Sequence, residues 1–328
     1  MIRAYLLRPG GGPAEVELRP GDALPEGTAW LDLLRPTEAE RRHADALLGI
    51  ETPTHEDMKE IEVSSRLYVE NGAAYLTTPL ITGADSPDPM LGPLTCVMTE
   101  RCLLTVRFSE PKSLETFRTR VLRQPELLRS TDDAMLGLMD AVADRAADVL
   151  EFIGGQLDAL GRQVFADPPS AGRPGPPKAE LTDVIRGIGR VGDLTHKLRD
   201  SLAGLDRLVA FLTTVSTGRL NKEQKAALKT IIRDLRSLGE HAAFLAHQTS
   251  FLLDATLGAI NVEQNAIIKI FSVMAVVFLP PTLIASIYGM NFHHIPELDW
   301  PWGYPLALCL MVVSAILPLL YFRKRGWL

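Results

Sequence analysis

Tyr288-Gly289-Met290-Asn291 ends one uncharged apolar run and stands just ahead of a second. The side-chain carbonyl of Asn291 and the backbone carbonyl of Gly289 are neutral acceptors, able to take hydrogen bonds from the water shell of a cation. Glycine lets the chain turn tightly at a helix end, and Met290 would anchor that turn by packing. A few residues on, Glu297 and Asp299 add negative potential that concentrates divalent over monovalent ions. The chemistry on offer is attraction of a hydrated ion and hydrogen bonding to its waters, with no covalent bond made or broken. Asn291 also suits a helix C-cap, so the residue types alone leave two roles open.

Residues 270–288 and 304–322 contain no charge, and each run is about as long as a bilayer-spanning helix requires. Two spans in one subunit cannot enclose a hydrophilic path, so a pore needs several copies around an axis. Steps of three and four from Asn265 reach Ile268, Ser272, Ala275, Leu279, Thr282 and Ser286, a stripe without charge. Such neutral side chains cannot offset full dehydration of a divalent cation, which costs on the order of tens of kcal/mol. The ion should pass largely hydrated, and magnesium, which sheds water reluctantly, suits that route best. The tail begins Arg323-Lys324-Arg325, whereas the connection 292–303 has no Lys or Arg. That asymmetry predicts a multi-pass protein of the cell's inner membrane with both termini cytoplasmic and the acidic connection outside. Together with Lys269 the tail cations would form a basic belt against lipid head groups.

The chain has 328 residues and a formal net charge of -6, which argues against nucleic acid as a partner. Cys96, Cys102 and Cys309 lack ligand-like spacing to any histidine and read as buried thiols in a reducing compartment. The start, Met1-Ile2-Arg3-Ala4-Tyr5, does not resemble a secretory signal, so the N-terminal part is expected in the cytoplasm. Residues 1–220 offer no phosphate loop, metal spacing or nucleophile motif, so neither an enzyme nor an organic cofactor is expected.

The predicted fold class is an α+β cytoplasmic domain followed by a long helical stalk and two C-terminal transmembrane helices. Residues 1–130 form this cytoplasmic domain, α/β or α+β. Strands at 66–70 and 73–81 flank the turn Asn71-Gly72, and 94–99 pairs with 102–107. Thr37 and Glu40 have capping-box spacing ahead of a helix over 37–48. Residues 131–220 are helical, with Thr131 or Asp132 as first cap, helices to about 163 and over 179–216, and an exposed Pro- and Gly-rich loop at 167–177. Residues 221–268 are the stalk and 269–328 the membrane module. Leu228, Ile231, Leu235, Leu238, Ala242, Leu245, Thr249, Leu252, Thr256 and Ala259 recur as a heptad seam. No proline interrupts it before Pro280, so about sixty residues at ~1.5 Å each would run as one helix of roughly 90 Å into the first span, a continuous stalk; a long helix packed inside the domain is the alternative.

Gly289-Met290-Asn291, with Tyr288 before it and Phe292 after it, resembles the signature of the CorA family of divalent-cation channels. Ile295-Pro296-Glu297-Leu298, Trp302-Gly303-Tyr304-Pro305 and the closing Arg323-Lys324-Arg325-Gly326-Trp327-Leu328 extend the resemblance over residues 265–328. It implies a CorA-like homo-oligomeric channel, a homopentamer with the first span lining the pore. That channel would import Mg2+, with Co2+ and Ni2+ as incidental passengers, under control of intracellular Mg2+. It also implies ion selection at Gly289, Met290 and Asn291, the last acting on the metal through its water shell. A hydrophobic constriction falls at Leu279 and a second at Phe271 or Ile268, with polar pore positions at Thr282 and Asn265 and an acidic one at Asp254.

An acidic row, Asp140, Asp144, Asp148 and Glu151, lies along one helix face, where a divalent ion held between subunits would relieve the repulsion. Glu60 and Glu62, in the acidic stretch 56–62, are candidates for the same regulatory role. A solvated helix face is the plainer reading of both. Two rivals remain: a ZntB-like zinc transporter, proton-coupled or not, suggested by the imidazoles of His293-His294, and a membrane-anchored sensor or scaffold through which nothing passes.

Overall fold

The computed structural model describes residues 1–8, 12–165, 181–291, 295–296 and 300–326. Strands β1 (Ile2–Leu7), β2 (Pro13–Leu18) and β3 (Thr28–Leu34) precede α1 (Glu38–Leu48) and the short α2 (Val63–Arg66). Then follow β4 (Leu67–Glu70), β5 (Ala73–Thr82), β6 (Met90–Met98) and β7 (Leu103–Arg107). They form one sheet in the order β2-β1-β3-β7-β6-β5-β4, antiparallel except for the parallel β3–β7 pair. Both predicted hairpins are present. Asn71 and Gly72 adopt φ of 50° and 79°, the left-handed values that a type I′ turn needs. The Thr37–Glu40 capping box closes in both directions around the start of α1.

Successive residues of the central strands bury on opposite faces of the sheet. Trp30, Leu76, Leu94 and Leu103 join one core with the helices, while Leu31, Leu33, Leu104 and Val106 join a second with Ala44 of α1. A polar chain is buried between β3 and β7. Trp30 Nε1 donates to Thr105 Oγ1 at 2.9 Å, and that hydroxyl donates to Asp32 Oδ1 at 2.7 Å. Arg107 closes the chain with Nε and a terminal nitrogen on the same carboxylate, the latter at 2.8 Å. Asp32 and Arg107 retain only 2% and 9% of their exposure.

After α3 (Lys112–Val121) come α4 (Thr131–Val164), α5 (Leu181–Val215), α6 (Lys222–Tyr288) and α7 (Gly303–Lys324). Ser130, rather than Thr131 or Asp132, caps α4, because it is the residue still in extended backbone and its hydroxyl accepts from the Asp133 N–H. The chain divides into two compact units, Met1–Leu253 and Asp254–Leu328. Helix α6 belongs to both and is unbroken over 67 residues. The heptad seam finds its partner inside the same chain: Leu228, Ile231, Leu235, Ala242, Leu245 and Leu252 are buried in the core shared with α4 and α5. Gly154 and Gly161 of α4 and Gly192 of α5 let Leu245, Leu252 and Thr249 come close. Cys96 and Cys102 are buried as expected, and burial pushes both thiols up to about 12. Cys309 is the exception: it is exposed on α7, a helix with little protein around it to bury against.

Candidate functional site

In the Asp254–Leu328 unit, α6 and α7 are long and apolar enough to cross a membrane, and only 6% of each most apolar stretch is buried. A core helix of comparable hydropathy would be covered by protein. Here Ile270, Phe278, Leu279 and Leu317 stand exposed, as lipid-facing or oligomer-facing side chains do. The two helices run antiparallel. At one end Lys269 Nζ reaches the Gly326 carbonyl at 3.4 Å, which brings Lys269 to the basic tail. At the other end Ala285, Tyr288 and Gly289 share a cleft of about 370 Å3 with Trp300, Gly303, Tyr304 and Ala307.

Val273 and Val277 are buried. Ala275 and Leu279 follow them by two positions, about 200° round the helix, and so face the opposite way. Ala275, Leu279, Thr282 and Ser286 lie together in a shallow groove with Phe278 and Leu283. Ile268, Phe271, Asn265 and Asp254 are also exposed. The Thr282 hydroxyl donates to the Phe278 carbonyl at 2.7 Å and keeps its lone pairs free to accept. The helix continues through Pro280 and Pro281.

Past Tyr288 the helix closes with backbone bonds: the Gly289 N–H donates to Ala285 O at 2.9 Å and the Met290 N–H to Ile287 O at 3.3 Å. A Cβ on Gly289 would lie 3.0 Å from the Ala285 carbonyl oxygen, a backbone atom with little freedom to move away. Asn291 is exposed. Met290 is exposed as well, so the packing expected of it is not made among the described residues. Glu297, Asp299, His293 and His294 lie outside the described residues, as does the loop 167–177.

The acidic row on α4 meets a cation supplied by α3. Arg120 bridges Asp140 at 3.0 Å and Asp144 at 2.5 Å. Arg145 lies 3.8 Å from Asp148 and also pairs with Asp85, which takes Lys112 as a further partner. Glu60 and Glu62 are exposed. Among the described residues no group of three or more His, Cys, Asp or Glu side chains is placed to hold a metal. Desolvation and the nearby Asp144 raise the Asp140 carboxyl above its ordinary value, and Arg120 pulls it part of the way back. A raised carboxyl favours the protonated native state; its stabilising contribution is full below the ordinary carboxylate value and is lost as pH rises through the raised one. Arg120→Gln is expected to move the Asp140 titration further upward, measured by carboxyl 13C NMR; an unchanged titration would show that the bridge is not formed in solution.

Sequence patterning missed two features. Arg120 was hidden because its partners are 20 and 24 residues away on another helix. Phe244 and Phe251 of α6, both about 60% exposed, form a second stripe beside the buried seam, and Phe165, the residue that ends α4, stacks on Phe251 at 6.4 Å. The seven-residue spacing of Phe244 and Phe251 was the available signal.

Residues 25–324 match the family described as CorA-like Mg2+ transporter protein. The chain belongs to the CorA family. A CorA magnesium transport protein of Wolinella succinogenes is 32% identical over 303 residues, covering 91% of each chain. The CorA magnesium transporter structure from Methanocaldococcus jannaschii superposes with a TM-score of 0.77 at 18% identity, covering 100% of this chain and 99% of that one, and so shares its fold. The ZntB cytoplasmic domain from Vibrio parahaemolyticus is more distant, with a TM-score of 0.54 at 9% identity over 79% of this chain and 97% of that one. That likeness shows fold alone and does not favour the zinc reading. The CorA assignment and the two exposed apolar helices make this an integral membrane protein of a transporter family, with an α+β domain, a long helix and two C-terminal spans.

Proposed function

We propose that the protein carries hydrated Mg2+ across the membrane through a pore made by several copies of α6, admitting Co2+ and Ni2+ incidentally. The observation that supports this most is the uncharged stripe Ala275, Leu279, Thr282 and Ser286, which faces away from Val273 and Val277 and leads to Gly289-Met290-Asn291. Asn291 side-chain and Gly289 backbone carbonyls accept hydrogen bonds from the ion's waters at the outer mouth. Glu297 and Asp299 raise the local cation concentration there. Farther in, Leu279 and the Phe271 or Ile268 level close by dewetting when the helices approach, while Asn265, Thr282 and Asp254 give the water shell polar contacts.

Exposed Phe244 and Phe251 support self-association, since a second copy would cover them and the stripe is seven residues from one aromatic to the next. A homopentamer is the assembly we propose, with both termini in the cytoplasm and the basic belt at the inner face. Intracellular Mg2+ regulates it by competing with Arg120 and Arg145 for Asp140, Asp144 and Asp148, with Glu60 and Glu62 as a second surface. The test is Mg2+ uptake by vesicles carrying Ala275→Cys in a Cys309→Ser background. A hydrophilic thiol reagent should block uptake there and spare Val273→Cys. Equal block of both, or of neither, would contradict the proposed lining.

A further inference from the structure

A pocket of about 440 Å3 opens in the Met1–Leu253 unit between the turn before α2, the β5–β6 hairpin and α5, within the size range of small-ligand sites. Lys59, Arg66 and Arg207 reach it from three separate segments, against a single carboxylate, Asp200. Concentrating cations in this way is notable in a chain of net charge -6. Glu56, Glu60 and Glu62 flank Lys59 in sequence but do not line the pocket, and the fourth acid of that stretch is occupied elsewhere. Asp57 takes the Thr54 backbone N–H at 2.8 Å and its hydroxyl at 2.7 Å, and among the described residues none of the three cations forms an ion pair with a carboxylate. Arg66 is held in place because its Nε donates to the Glu60 carbonyl at 2.5 Å, which leaves its two terminal nitrogens available. Lys59 follows Met58, which is buried and fixes the turn. The floor is different in kind. Pro79 and Pro93 stand opposite each other in the β5–β6 register and line the pocket with Leu91 as an apolar surface that has no backbone N–H at either proline.

We propose that this pocket binds a nucleoside polyphosphate. The phosphate oxygens meet Lys59, Arg66 and Arg207 through charge-assisted hydrogen bonds, the base lies on the Pro79–Pro93 surface, and Asp200 accepts from a sugar hydroxyl. The metal-free nucleotide is preferred, because a bound Mg2+ cancels charge that the three cations would otherwise meet. Coupling of this preference to ion flow, so that chelator without metal reports magnesium shortage, rests on the transport reading; the binding does not.

The test is isothermal titration calorimetry of the full-length protein in detergent with ATP in EDTA. Saturable binding is expected, weakened by excess Mg2+ and weakened about tenfold by Lys59→Gln and by Arg207→Gln, since a hydrogen bond to a charged group is worth that much. Both side chains are exposed and, among the described residues, make no bond that folding needs, and circular dichroism checks that the variants keep the fold. Inorganic tripolyphosphate should bind more weakly than ATP. Absence of ATP binding, binding unchanged in both variants, or tripolyphosphate binding as tightly as ATP would overturn the proposal. Competition by short-chain phosphatidic acid at ATP's own strength would also overturn it, by assigning the pocket to a lipid phosphate.

Discussion

Asn291→Ala is expected to leave the protein folded and to reduce Mg2+ entry into vesicles on the order of 100-fold. Folding should survive because the end of α6 is closed by the Gly289 and Met290 N–H groups on the carbonyls of Ala285 and Ile287, without help from the Asn291 side chain. What disappears is an acceptor for the water shell. One such bond is worth ~1 kcal/mol, and loss of the two or three that one hydrated ion makes at a time amounts to about 3 kcal/mol, two factors of ten at ~1.4 kcal/mol each. Stopped-flow fluorescence of an entrapped magnesium dye measures the rate. Entry at the wild-type rate would remove Asn291 from the pathway and return it to the role of a helix-end residue.

The largest effect on stability is expected from Arg107→Met. It leaves Asp32, only 2% exposed, facing a neutral side chain. The Thr105 hydroxyl still donates to Asp32 Oδ1, but the Oδ2 atom loses both of its guanidinium contacts. Breaking a buried pair from one side costs ~3–5 kcal/mol, because the remaining charge has no compensation. Asp32→Asn combined with Arg107→Met should recover part of that loss, since no uncompensated charge is then buried. Denaturant midpoints of the Met1–Leu253 unit's unfolding, followed by the fluorescence of the buried Trp30, would measure both. A single variant as stable as the parent would mean that the pair is solvated in solution.

The hairpins, the α1 cap and the two apolar runs could be read from residues because each depends on neighbours within a few positions: Asn71-Gly72 for the turn, Thr37 with Glu40 for the cap, an absence of charge for the spans. The parallel β3–β7 pairing could not. It joins Asp32 to Thr105 and Arg107, more than 70 residues apart, and no local pattern marks that contact. The heptad seam was visible, but a repeat of this kind does not say whether its partner is another chain; Gly154, Gly161 and Gly192 supply the partner surface from within. On the membrane side, helical periodicity alone grouped Ala275, Leu279, Thr282 and Ser286, and the same four share a groove. The acidic row was equally visible, whereas its counter-ion Arg120 was not, because a cation on a different helix leaves no trace in the spacing of the acids.

Mg2+ transport is tested by ion uptake into liposomes containing the purified wild-type protein, loaded with a magnesium-sensitive or a zinc-sensitive dye under an inward gradient and a negative interior. Rapid Mg2+ entry that needs no proton gradient is expected. Zinc entry driven by protons with no Mg2+ entry, or silence for both ions, would contradict it.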